Sequence, residues 1–330
     1  MDIKDEIWVL VDKRPGTAAQ AIGLAEELSR QHGLNFKIIN LSYSFLAKLP
    51  NFFFSRSLWR LSKTSRINLK NHSYSPRVII SSGRRSAPIA LNLKNNNQQA
   101  IKVIQIMNPN LPMSKFDFVI LPKHDKISKN YPNVIRSVGS LTRINEEIIK
   151  NECEKFSQTF KNIRSPKIAL FIGGDSKNTQ FTSKSAINLA KKASKIATNM
   201  KATLLITNSR RTGTIITKLV QENLTCDFKF FDWQNVKENN PYFAIIGYAD
   251  FFIATGDSVS MISESCSTGK PVYIFDEDHI SSKKQRQFHH DLFSENYALD
   301  LAEINDLTPR TSTKKLDETH RISSLIRLKF

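Results

Sequence analysis

Residues 249–275 read in order as a strand, a tight turn, a helix and a second strand. A buried-type apolar run at 251–254 stops at Thr255-Gly256-Asp257-Ser258, and a second one follows the helix at 272–275. Thr255, Gly256, Ser258 and Ser260, all small or hydroxyl-bearing, surround Asp257 at the turn. The helix therefore starts among hydroxyls and unpaired backbone N–H groups, a setting that suits an anion such as a diphosphate. Glu264 lies two turns into that helix, where its carboxylate disfavours phosphate but can accept hydrogen bonds from a ribose hydroxyl further along a nucleotide. Together these features predict a nucleotide site.

The same alternation runs through the rest of the chain. On the N-terminal side the patterning predicts strands at 7–11, 36–41, 77–81, 101–106 and 116–121, with helices over 18–30 and 87–93. A charged helical segment at 146–160 leads into 161–166, read as a linker. A second series follows, with strands at 167–172, 202–207, 228–231, 251–255 and 272–275 and helices over 183–200 and 214–223. Strands alternating with helices predict an α/β protein with parallel sheets covered on both faces. At 330 residues and 40% hydrophobic content the chain exceeds one ordinary core and suits two domains. Their expected limits are 1–163 and 164–300, with 301–330 as a terminal segment.

Cys153, Cys226 and Cys266 are widely spaced and form no C-x-x-C pair, which argues against a disulfide framework or structural zinc and favours a reducing compartment. The N-terminus lacks a basic n-region, and no apolar run approaches the roughly 20 residues that span a bilayer. A cytoplasmic protein is expected, soluble or peripheral on the inner face of the membrane. The net charge of +18 implies a polyanionic neighbour, or else only a genome that enriches Lys and Asn. Nucleic acid rests on charge alone and ranks low as a partner. An anionic membrane surface has more behind it: residues 51–66 mix Phe52, Phe53, Phe54, Leu58 and Trp59 with Arg56, Arg60, Lys63 and Arg66, a pattern of interfacial segments and also of a core-packed helix with a basic outer face.

Candidate chemistry collects at predicted strand ends. Asp12 closes the first strand before Pro15-Gly16, where it could contribute a base, although the turn also reads as an ordinary one capped by Thr17. Ser82-Gly83-Arg84-Arg85-Ser86 offers donors to an anion after another strand. His124, in Pro122-Lys123-His124-Asp125, is a candidate general base. Gly173 and Gly174 remove side chains where a backbone must approach a phosphate or the facing domain. Ser209, Arg210 and Arg211 follow the next strand, and either guanidinium could neutralise a departing diphosphate. Asp276-Glu277-Asp278-His279 is set aside as a metal site because no second ligand cluster has matching spacing. No P-loop lysine motif, G-x-G-x-x-G fingerprint or nucleophile elbow occurs, which disfavours ATPase, dehydrogenase and hydrolase chemistry.

Several of these motifs together resemble the mitochondrial fission ELM family. They are Asp12 to Gly16 with Gln20, Ser82 to Pro88, Pro122 to Asp125, Asn133-Val134 with Gly139, Gly173-Gly174, Ser209 to Thr212, Asn240-Pro241-Tyr242 and, most specifically, Thr255 to Glu264 with Thr268-Gly269-Lys270-Pro271-Val272. The family takes its name from a plant protein that helps recruit a dynamin-related protein to mitochondria, whereas bacterial members look like GT-B glycosyltransferases. The resemblance implies two Rossmann-like doubly wound domains facing a cleft, an acceptor-side N-terminal one and a C-terminal one that holds a nucleotide-diphosphate sugar as donor substrate, without a separate cofactor or metal. On that analogy Gly173, Gly174, Ser258 and Ser260 line the diphosphate, Glu264 the ribose, and Arg210 or Arg211 the leaving group. A closing helix at 322–330 would return to the first domain. A non-catalytic scaffold that recruits a protein partner at a membrane is the other expectation. Lys13 and Thr17 depart from the family pattern, as does Asn296 in place of a glycine, a mild change because Asn tolerates a left-handed conformation.

Overall fold

The computed structural model describes residues 2–49, 51, 57–96, 101–176, 179–235, 239–277, 279–304 and 314–328. They fall into two compact units, residues 2–143 with 317–328, and residues 144–316.

The first unit contains β1 (Asp2–Val11), α1 (Pro15–His32), β2 (Asn35–Asn40), α2 (Lys63–Lys70), β3 (Tyr74–Ser82), α3 (Ala87–Asn95), β4 (Lys102–Ile106), β5 (Phe118–Pro122) and β6 (Val134–Ser137). Its six strands are parallel, in the order β2-β1-β3-β4-β5-β6. Successive β1 residues point to opposite faces, and both faces are covered: Ile7, Val9 and Val11 meet Ala21, Leu24, Ala25 and Leu28 of α1, while Trp8 and Leu10 meet Ala87, Ile89 and Ala90 of α3. That is why residues 7–11 of β1 are a continuous apolar run. Helix α1 begins at Pro15, three residues ahead of the predicted start, with Arg14 as its N-cap, so Thr17 is inside the first turn and caps nothing. Pro15-Gly16 reads as a breaker in sequence, yet proline's fixed φ fits the first helical position, where the missing N–H is not needed.

The second unit contains α4 (Glu146–Lys155), α5 (Ser157–Phe160), β7 (Lys167–Ile172), α6 (Ser183–Asn199), β8 (Thr203–Asn208), α7 (Thr214–Glu222), β9 (Phe228–Phe231), α8 (Tyr242–Tyr248), β10 (Phe251–Thr255), α9 (Val259–Cys266), β11 (Val272–Phe275), α10 (Lys283–Ser294) and β12 (Leu299–Asp300). The strands are again parallel, in the order β12-β11-β10-β7-β8-β9. Ala186, Leu189, Ala190, Ala193, Ile196 and Ala197 of α6 form the stripe that covers Ile168, Leu170, Leu204, Ile206, Phe251 and Ile253. The division between units falls at 143/144, ahead of the linker read at 161–166. Residues 144–163 belong with the second unit because α4 packs on α8 and Phe160 stacks on Tyr248 and Phe231, with ring centroids 4.8 and 5.5 Å apart. Asn296 adopts the left-handed conformation, φ 59°.

The last helix, α11 (Glu318–Leu325), belongs to the first unit. Ile322, Ile326 and Leu328 join the α1 core, Glu318 accepts the Val138 N–H at 2.8 Å, and Thr319 accepts the Thr142 N–H at 2.8 Å.

Candidate functional site

An open parallel sheet leaves a crevice at the carboxyl ends of the two strands between which the strand order reverses. In the second unit these strands are β7 and β10, so Gly173-Gly174 and Gly256-Asp257-Ser258 lie side by side. The Gly173 N–H donates to Thr255 Oγ1 and the Gly174 N–H to Asp257 Oδ2, both at 2.8 Å, and Thr255 donates to Asp257 Oδ1 at 2.7 Å. Arg211, from the turn after β8, donates to Asp257 Oδ2 at 2.9 Å and to the carbonyls of Gly174 and Asp175 at 2.7 and 3.1 Å. A methyl group on Gly173 would overlap the Asp257 carboxylate, and one on Gly174 the backbone of Arg211 and Thr212. The close approach that the diglycine permits is therefore taken up by the chain itself. Burial pushes the Asp257 carboxyl up, against the hydrogen bonds from Gly174 and Thr255 and the pull of Arg211.

This arrangement separates the two arginines that the sequence leaves as alternatives. Arg211 is committed to Asp257 and the diglycine loop, whereas Arg210 is exposed and makes no hydrogen bond or ion pair with a described residue. Ser209 closes its own turn, accepting the Arg211 N–H at 3.1 Å. At the start of α9, buried Ser258 is the N-cap residue but its hydroxyl does not cap the helix, and neither it nor half-buried Ser260 hydrogen-bonds to another described side chain. The turn itself is held by Gln285, which donates to the Asp257 carbonyl at 2.6 Å, and by His289 Nε2, 2.9 Å from the Gly256 carbonyl. Glu264 is buried and accepts the Tyr242 hydroxyl at 2.5 Å. Burial lifts its carboxyl to about 7, with the Tyr242 hydrogen bond opposing, and burial followed by the Glu264 charge pushes the Tyr242 hydroxyl well up.

In the first unit the order reverses between β1 and β3. Asp12 follows β1, with its side chain buried and gripped by Arg14, whose Nε lies 2.9 Å and Nη2 2.7 Å from Oδ2. His124 follows β5, three strand positions away from β1, which is roughly 14 Å at the usual strand spacing. Asp12 and His124 thus share an edge without touching. The His124 turn is tied down by Arg136, which donates to the carbonyls of Pro122, Lys123 and Asp125 at 2.8, 2.7 and 2.6 Å. Asp278 lies outside the described residues, and among those described no three His, Cys, Asp or Glu side chains converge as metal ligands.

Two doubly wound parallel sheets in one chain, each with its polar turns at the reversal point, define an α/β protein of the GT-B-like class. The chain belongs to the mitochondrial fission ELM1 family, whose sequence profile matches residues 15–330. An uncharacterized protein of Rickettsia prowazekii is 31% identical over 350 residues, 97% of this chain and 97% of that one. The mitochondrial fission protein ELM1 of Arabidopsis thaliana is 27% identical over 288 residues, 79% of this chain and 66% of that one. In three dimensions the chain is similar to the UDP-GlcNAc 2-epimerase of Methanocaldococcus jannaschii, solved with UDP-GlcNAc and UDP, at TM-score 0.54 and 10% identity over 97% of this chain and 99% of that one. It is similar also to a variant of the wall teichoic acid polymerase TagF, at TM-score 0.51 and 12% identity over 98% and 88%. At these identities the likeness is one of fold.

Tyr242, the partner of Glu264, carries no signal of its own in sequence beyond its place in Asn240-Pro241-Tyr242. Asp257 stands out only as the acid in a hydroxyl-rich turn, and its pairing with Arg211 needs the sheet order to be seen.

Proposed function

We propose that this chain is a metal-independent glycosyltransferase of GT-B type, which takes a nucleotide-diphosphate sugar and modifies an envelope lipid or glycan at the cytoplasmic face of a membrane. The observation that carries this reading is the edge of the second sheet, where the Ser258 and Ser260 hydroxyls, the first amides of α9 and exposed Arg210 are uncommitted while Glu264 waits further along the same helix. Ser258, Ser260 and the α9 amides would hold the diphosphate, Arg210 would neutralise it as it departs, and ionised Glu264 would accept the ribose hydroxyls. Arg211 acts through the Gly173-Gly174 loop as a positioning residue. Asp12 or His124 would take the acceptor proton, singly rather than as a pair. A fold relative solved with UDP-GlcNAc and UDP supports a nucleotide-sugar donor.

The membrane arm draws on exposed Phe45 and Trp59, 79% and 65% accessible, with the Arg66 guanidinium 5.3 Å from the Trp59 ring. Phe52, Phe53 and Phe54 lie outside the described residues, and among those described no helix is long and apolar enough to cross a membrane. Titration calorimetry of the intact chain with UDP, GDP, ADP and CMP tests the donor site. Saturable binding of at least one nucleotide is expected, and no binding by any of them to protein that melts cooperatively would overturn the proposal.

The Arabidopsis relative named for mitochondrial fission favours a second reading, a scaffold that recruits a partner without chemistry. In that case Glu264→Ala leaves biological activity intact, while deleting residues 52–54 abolishes localisation.

A further inference from the structure

We propose that the first unit carries a phosphate site of its own, at the carboxyl ends of β1 and β3, which receives a phosphate monoester group on the acceptor. The word acceptor rests on the transferase reading above; the anion site does not.

Arg14, Arg60 and Arg85 act electrostatically on the Tyr43 hydroxyl, with Asp12 as the acid among them, and Arg84 and Arg85 act on Arg60. Arg14 is spent on Asp12. Arg60 is fully buried, and the groups that hold it are neutral: Asn51 Oδ1 at 2.5 Å and the carbonyls of Ala47 and Leu49 at 2.9 and 2.8 Å. Arg84 and Arg85 are half-buried and pair with no carboxylate among the described residues, and Arg85 lies 5.9 Å from the Tyr43 ring centre. Burying a cation without a counter-ion is costly. Three such charges at one sheet edge are held for an anion that arrives with the ligand.

Other groups at this edge are equally unspent. Ser82 is 3% exposed and its hydroxyl has no hydrogen-bond partner among the described residues; the same is true of the buried Tyr43 hydroxyl and of Arg60 Nε. Buried polar atoms in native proteins are nearly always paired, so two orphan hydroxyls together with three guanidiniums that lack a carboxylate, one of them with its Nε also unpaired, point to a missing acceptor-rich group. A phosphate monoester supplies it, with two negative charges and three acceptor oxygens suited to arginine forks. The surroundings are built to present the arginines. Asn51, itself fixed by Arg60, donates to the Arg84 carbonyl at 2.7 Å and the Pro109 carbonyl at 2.6 Å. Gly83 has φ 76°, a left-handed backbone that glycine adopts without strain. The loop that sends Arg60 inward turns its neighbour Trp59 outward, and half-buried Arg84 and Arg85 are the arginines that a soluble phosphate ester or a lipid phosphate can reach.

Calorimetry of the intact chain with sn-glycerol 3-phosphate, and co-sedimentation with phosphatidylcholine vesicles with and without phosphatidic acid, test the site and separate the two sources. At least one probe should bind saturably, and Arg84→Ala/Arg85→Ala should weaken that binding by about tenfold or more while nucleotide binding and the melting temperature stay unchanged. Nucleotide bound but neither phosphate probe bound would overturn this inference and leave the transferase reading standing. A phosphate probe bound in an arginine-dependent way without any nucleotide would keep the site and remove the transferase. Binding undiminished in a double variant that melts like the parent would also overturn the inference.

Discussion

Glu264 is the buried side chain whose protonation links stability to pH and, on the proposed function, to nucleotide binding. Its carboxyl titrates near 7 in the folded chain against 4.5 without burial, so between those values the folded state holds a proton that the unfolded state releases. The stability this proton contributes is complete below about 4.5, falls as the pH rises through about 7 and then levels off. Its size is on the order of 3 kcal/mol from the displacement alone. Glu264→Gln should flatten that part of a pH–stability curve measured by denaturant unfolding. A slope equal to the parent's would mean that another group causes it. On the proposed function the carboxylate form is the one that would accept ribose hydroxyls, so nucleotide affinity should strengthen as the pH rises through about 7, and Glu264→Gln should remove this rise.

At the scale of elements, the strand ends hold the candidate site, and they are the most legible part of the sequence. The strands at Lys167–Ile172, Phe251–Thr255 and Val272–Phe275 fall where the apolar runs place them, because a strand buried on both faces is an unbroken apolar run cut off by Gly, Asp or Pro. Less legible were α8, short and apolar on every side, and α10, whose buried Phe288, His289 and Leu292 are scattered among Lys, Gln and His. The buried Arg60 reads as a surface residue in sequence, since only the folded loop shows Asn51 and two carbonyls closing around it. The Arg211–Asp257 pair spans 46 positions and becomes visible only once β8, β7 and β10 are known to be neighbours. The diglycine loop bears a direct test of its packing role. Gly174→Ala pushes a methyl group into the Arg211 backbone and should cost about 1–3 kcal/mol, read as a drop in melting temperature. An unchanged melt would show that the loop relaxes freely.

Over the whole molecule, two sheets of the same kind turn their order at different places, β1 against β3 in the first and β7 against β10 in the second. Each reversal gathers a different chemistry. The first collects guanidiniums in excess of acids, and the second collects hydroxyls and amides with a carboxylate further along the helix. This division suits a phosphate-bearing acceptor on one unit and a nucleotide donor on the other. Hydrogen–deuterium exchange of the intact chain, with and without the best-binding nucleotide from the calorimetric panel, asks where that ligand sits. Slowed exchange is expected in 173–175, 209–213 and 256–266, and protection confined to other segments would contradict a donor site at the edge of the second sheet.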